Sequence, residues 1–120
     1  MVNHITLVGR VVFEPELRTI ESGESVSTLT LALKRPFKNN ETHTYESDFI
    51  RVTLWRGIAE NAVQYCKKGS IIGIRGRVAQ KTFHYEEEKT FSYPEVVAER
   101  LSFIQLDPKD KVPVDDFEAE

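Results

Sequence analysis

The chain is poor in sulfur and has no long apolar run. Cys66 is its single cysteine, which excludes an internal disulfide and a zinc site built from cysteines. It lies in a stretch of helical periodicity, where a small buried apolar residue accounts for it. No run of about 18 apolar residues occurs, so no membrane span is expected. Met1 leads almost directly into a strand-like segment, without the charged-then-apolar start of a secretion signal or an arginine-rich transit sequence, and a cytoplasmic protein is expected. Catalytic groupings are missing too. His4, His43 and His84 lie far apart, and none has a neighbour at metal-ligand spacing. Asp115 and Asp116 are adjacent but fall in a charged tail that cannot hold a catalytic geometry. With no P-loop and no Ser-His-Asp pattern, the chain is read as non-enzymatic, with no catalytic residue, metal site or cofactor.

Positive charge is also scarce, with 16 Lys and Arg against 19 Asp and Glu, but it is unevenly distributed. From Asp107 onward six acids face Lys109 and Lys111, leaving 14 basic and 13 acidic residues in positions 1 to 106. The tail therefore holds the negative charge, and a nearly neutral body can still carry a basic stripe. One domain over residues 1–106 and an acidic tail over 107–120, too charged and proline-broken to pack, are expected.

Within the body the dominant period is two. "NHITLVGRVV" is apolar on both alternating faces, as in a strand covered on both sides. "SVSTLTLALK" places Leu29, Leu31 and Leu33 on one side, and "RPFKNNETHTY" follows as a hairpin tip, with Pro36 breaking the ladder. In the returning strand "DFIRVTLWRG", Ile50, Val52 and Leu54 share one face while Phe49, Arg51, Thr53 and Trp55 share the other. The period then changes to that of a helix in "GIAENAVQYCKKG", with Lys67 and Lys68 in its last turn and Gly69 closing it. "SIIGIRGRVAQKTF" resumes alternation, with Ile72, Ile74 and Val78 inward and Arg75, Arg77, Lys81 and Phe83 outward. "HYEEEKTFSYP" reads as a polar turn and "EVVAERLSFI" as the last strand. This order predicts an all-β, five-stranded Greek-key barrel of the OB type with one short α-helix between strands 3 and 4.

Five rings, Phe37, Phe49, Trp55, Phe83 and Tyr85, fall outside the predicted core, among Lys34, Arg35, Lys38, Arg51, Arg56, Arg75, Arg77 and Lys81. Taken singly, an outward ring on a strand is explained by cross-strand packing or a subunit contact, and an outward cation by a solvated surface. Together, rings in register with cations match single-stranded nucleic acid, which offers a phosphate charge on each nucleotide and unpaired bases with open faces. Duplex bases are already stacked and offer no such faces. RNA and DNA share these properties, and a preference depends on contacts to the 2′-hydroxyl.

The strings "ITLVGRVVFEPELR", "TLALKRPFKN", "DFIRVTLWRGIAENAVQYCKKGSIIGIRGRV" and "YPEVVAERLSFI", in that order over residues 1 to about 106, resemble the bacterial single-stranded DNA-binding protein family. The resemblance implies an OB fold, a homotetramer, and single-stranded DNA bound with little sequence preference and protected in replication, recombination, repair or DNA uptake, in the nucleoid. Carried over by position, it implies base stacking on Phe37, Phe49, Trp55 and Phe83. Phosphate contacts are implied for Arg10, Lys34, Arg35, Arg56, Lys67, Arg77 and Lys81.

Two features depart from the family pattern. The family's long linker and Pro-Phe tip give way to "VPVDDFEAE", in which three residues follow Phe117. This is the pattern of a short paralogue; replication or repair proteins stay open as partners, but recruitment through such a tip is not expected. The second departure is Glu86-Glu87-Glu88, which repels a phosphate backbone and is expected to point away from the DNA path or toward a neighbouring subunit. The rival reading is an OB-fold protein-interaction module of the primosomal accessory type, with weak single-stranded DNA or RNA binding.

Overall fold

A computed structural model describes residues 1–106; the expected tail, 107–120, lies outside them. Seven elements follow one another: β1 (Ile5–Val11), β2 (Arg18–Thr19), β3 (Ser25–Lys38), β4 (Tyr45–Trp55), α1 (Arg56–Tyr65), β5 (Ile71–Glu86) and β6 (Lys89–Gln105). The strands form one sheet in the order β1-β5-β6-β4-β3-β2, and an added β1–β3 pairing closes it. All pairings are antiparallel except β4 with β6, where Val52 lies opposite Val96. Apart from the two-residue β2, this is a closed barrel of five long strands with the helix between the third and fourth of them. The OB-type architecture expected from the sequence is the one observed.

The barrel closes because alternate residues of each strand are apolar and point to one side. Leu29 and Leu31 on β3, Val52 and Leu54 on β4, Ile72 and Ile74 on β5, and Val96 and Ala98 on β6 are all buried in one cluster. Helix α1 contributes Ala59 and Ala62, with Cys66 just beyond its end, and packs against β3, β4 and β6. Burying each Leu or Ile side chain stabilises the fold by about 1.5–3 kcal/mol, the main favourable contribution in a domain of this size.

The structure corrects several local expectations. Helix α1 ends at Tyr65, and Cys66 is already extended at φ −78° and ψ 137°, so Lys67 and Lys68 lie beyond the helix. Gly69 has φ 93°, but in the separate tight turn that follows, where the Ser70 N–H donates to the Lys67 carbonyl at 3.0 Å. The Ser70 hydroxyl fixes that turn, accepting from the Lys67 N–H at 2.9 Å and donating to the Leu106 carbonyl at 2.8 Å.

The polar stretch 84–94 is a turn only at Glu87-Glu88. It continues β5 and β6 as a long hairpin in which Phe83 pairs with Phe91 and Glu86 with Lys89. Val78, expected inward, is 41% exposed because β5 leaves the barrel there. Likewise β3 runs through Pro36 to Lys38, with a register shift between Lys34 and Lys38 absorbing the missing N–H. The second face of β1 is not covered from within the chain, since Thr6 and Arg10 are exposed.

Candidate nucleic-acid interface

Strand register decides which side chains meet on the outside of the barrel. On β4 the outward residues are Phe49, Arg51, Thr53 and Trp55, alternating with Ile50, Val52 and Leu54 as expected. Their cross-strand partners on β3 are Ala32, Thr30, Thr28 and Val26. Ala32 also pairs with Arg10 on β1, so Arg10, Ala32 and Phe49 form a row across three strands. The small Ala32 leaves the Phe49 ring 64% exposed, facing Arg10 across about two strand spacings, near 10 Å. Arg10 is held by donating to the Gly69 carbonyl at 2.9 Å, which brings it to the same turn as the exposed Lys67.

A second row runs the other way. Thr53 pairs with Val97 on β6, and Val97 with Arg77 on β5. The Thr53 hydroxyl donates to Glu95 at 3.0 Å, tying β4 to β6 on this face. Trp55, Arg56, Ile58, Arg77 and Val97 line one open groove of about 660 Å³. Arg56 sits at the strand-to-helix junction with φ 54°, a left-handed conformation that costs a non-glycine residue on the order of 1 kcal/mol. Its guanidinium reaches Glu24 at 3.4 Å, both side chains being exposed. Trp55 is half-buried, so the groove holds a planar ring together with two cations and the Glu24 carboxylate.

Two arms extend this surface. The β3–β4 arm carries Phe37, 61% exposed, and Tyr45, over whose ring Lys34 and Lys38 stand at 4.7 and 5.6 Å from the centroid. The β5–β6 arm carries Phe83, with Lys81 at 5.5 Å from its centroid, and Tyr85, 62% exposed.

Arg35 is placed differently from the other cations. It donates to Asp48 from Nη2 at 2.8 Å and to Glu46 from Nη1 at 3.1 Å. The physical cause is parity: residue 35 follows Leu29, Leu31 and Leu33 on the core-facing side, where the strand runs out of core and two carboxylates wait opposite. The Arg35 hydrogen bond holds the Asp48 carboxyl below the usual carboxylate range, and Asp48 in turn holds the guanidinium above its own.

Three rings on the arms escaped the sequence reading: Tyr45, Phe91 and Tyr93. Phe91 and Tyr93 alternate with Thr90, Ser92 and Pro94 in "TFSYP", a period-two signal masked by the three glutamates before it. Among the described residues no cluster of His, Cys, Asp and Glu has metal-binding geometry, and no helix is long and apolar enough to cross a membrane.

Comparison with known proteins bears on the chain as a whole. The chain is 39% identical over 111 residues to single-stranded DNA-binding protein B of Bacillus subtilis, covering 92% of this chain and 97% of that one. It is 42% identical over 105 residues to single-stranded DNA-binding protein 3 of Listeria innocua, covering 88% of this chain and 65% of that longer protein. Among solved structures, the Plasmodium falciparum SSB complex with ssDNA matches with a TM-score of 0.71 at 22% identity, over 88% of this chain and 97% of the other, a likeness of fold. With residues 2–104, nearly the whole described barrel, matching the family pattern as well, the chain belongs to the single-strand binding protein family.

Proposed function

We propose that this chain binds single-stranded DNA without reading its sequence, protecting exposed strands in replication, recombination, repair or DNA uptake. Bases stack on Phe37, Phe49, Trp55 and Phe83, and phosphates are neutralised by Arg10, Lys34, Arg56, Lys67, Arg77 and Lys81. The observation that carries it is the groove in which Trp55 lies with Arg56 and Arg77: a base and its phosphate need a ring and a cation within one nucleotide's reach. A stacked base contributes about 1–3 kcal/mol and any base serves, so affinity comes without specificity. Arg35, already bound to two carboxylates, contributes least among the cations.

The binding unit is residues 1–106, and residues 107–120, with six acids against two lysines, are a separate acidic tail. The working assembly is a homotetramer in the cytoplasm, at the nucleoid. Its support is the part of β1 from Ile5 to Gly9, which pairs with β5 on one edge only and carries half-buried Leu7 and Val8, a ready strand for a second copy. Replication or repair proteins stay open as partners, with recruitment through the tail not expected.

Trp55 is the chain's only tryptophan, so the test is direct. Its fluorescence is quenched by oligo-dT and much less by duplex, with affinity falling as salt rises. Equal response to duplex, or none to oligo-dT, overturns the proposal. Light scattering checks the assembly against four times the 13.8 kDa of one chain.

A further inference from the structure

We propose that Phe91 and Tyr93 join Phe83 in a further base-stacking site on the β5–β6 arm, bounded at its outer end by Glu86, Glu87 and Glu88; this rests on the single-stranded DNA reading above. Beyond Val78 the arm is two-stranded, and its register puts Lys81 opposite Tyr93 and Phe83 opposite Phe91. All four side chains therefore share one face, continuous along β5 with Arg77. The other face is polar: Thr82 and Ser92 hydrogen-bond there at 3.0 Å.

Two strands cannot bury these rings, and Phe83 and Phe91 are 45% and 57% exposed. Leaving that apolar area in water has a cost that solubility alone does not explain. Ring pairing offsets only part of it, with Phe83–Tyr93 and Phe91–Tyr93 centroids 5.7 and 6.0 Å apart at tilts of 31° and 39°. These separations are shorter than the ~7 Å, two stacking steps of 3.4 Å, that a base inserted between parallel rings requires. Bases lie on the outer faces of the fan instead.

Charge fixes the occupant. Lys81 stands over Phe83 at 5.5 Å from its centroid, an exposed cation–π contact worth less than a stacked base. A base therefore displaces the ammonium, which turns to the adjoining phosphate. Past Phe83 the next charges are Glu86, Glu87 and Glu88 at the tip, with Lys89 reaching Glu86 at 3.5 Å. Along this face Arg77 and Lys81 attract a phosphate backbone, with Glu95 between them accepting from Thr53, and beyond Phe91 the tip repels it, so the strand enters by Arg77 and leaves the arm before its tip.

The test uses the full chain with Phe91→Trp in a Trp55→Phe background, making residue 91 the only tryptophan, and oligo-dT as probe. Quenching at residue 91 is expected. In a second variant, Phe91→Ala with Tyr93→Ala, oligo-dT affinity is expected to fall at least tenfold with the salt slope unchanged, because the rings carry no charge. Unchanged emission at residue 91 while wild-type Trp55 is quenched overturns this site and leaves the wider function standing. No quenching at either position overturns both. Unchanged affinity in the double-alanine variant, with a changed mass by light scattering, assigns the rings to a subunit contact and also overturns the site.

Discussion

Arg35 and Asp48 meet on the core-side face of the β3–β4 arm, with Nη2 2.8 Å from Oδ1 and Nε 3.2 Å from both carboxylate oxygens. Glu46 takes Nη1, and its other oxygen accepts from Asn39 at 2.7 Å. The guanidinium is thus used to brace the arm that presents Phe37, Lys34 and Tyr45 from the strands behind them.

It follows that Arg35→Ala alters the salt dependence of binding little. Each phosphate left without its cation lowers the slope of log affinity against log salt by about 0.7 for a single strand. Arg35→Ala is expected to change it by less than about 0.3, and Arg77→Ala by the full amount; titrations at several salt concentrations check this. A full-sized change at Arg35 restores it as a phosphate ligand. The pH sign is set by Asp48, whose folded pKa is depressed. Its contribution is present above the unfolded value near 4 and is lost only as pH falls through the lower folded value. Binding between pH 5 and 8 is therefore indifferent to this pair.

Arg56 joins strain to charge. Glycine tolerates φ 54° without penalty, so Arg56→Gly relieves about 1 kcal/mol of strain while losing an exposed ion pair to Glu24 worth about 0–1 kcal/mol. The expected outcome is a melting temperature equal to or above wild type, with weaker oligo-dT binding and a shallower salt slope. Loss of stability and unchanged binding together reverse the assignment.

Phe49 and Phe83 are 64% and 45% exposed, so truncating either one leaves the core intact. Phe49→Ala is expected to lower oligo-dT affinity by about 1–3 kcal/mol and to change folding stability by less than about 1 kcal/mol. Paired fluorescence titration and urea unfolding separate the two effects. A large stability loss with normal binding marks the ring as structural.

Gly76 stands where β5 skips a residue against β6, between Arg75 and Gly76. A Cβ there overlaps the Val97 carbonyl and comes within 3.2 Å of the Ala98 Cα, both backbone atoms. Gly76→Ala is expected to cost about 1–3 kcal/mol and to lower the melting temperature by at least about 4 °C. Arg77 and Val97 line the Trp55 groove, so affinity falls with it. A melting curve unchanged from wild type refutes the close-approach account.

Cys66 is 4% exposed, and burial pushes its thiol up to about 11. The folded value lies above the unfolded one, so its contribution to stability is complete below about pH 8.5 and is lost as pH rises toward the folded value. A thiol reagent at pH 8 is expected to label the protein only after urea unfolding; rapid labelling of the native chain contradicts the burial.

What the sequence determined by itself was the barrel and most of its outward face. Period-two alternation in residues 49–55 and 71–77 assigns Val52, Leu54, Ile72 and Ile74 to the core and Phe49, Trp55 and Arg77 to the outside, because a strand has only two sides. The helix was legible for the same reason, through the change of period at Ile58. Tertiary structure alone decided which outward residues became neighbours. Arg10, Ala32 and Phe49 are far apart in the chain and meet only through the β1–β3 closure. Trp55 and Arg77 share a groove because β6 runs parallel beside β4. Arg35 meets Glu46 and Asp48 because two carboxylates face it across a strand pair. Register between strands is a property of long-range pairing, and local periodicity carries no information about it.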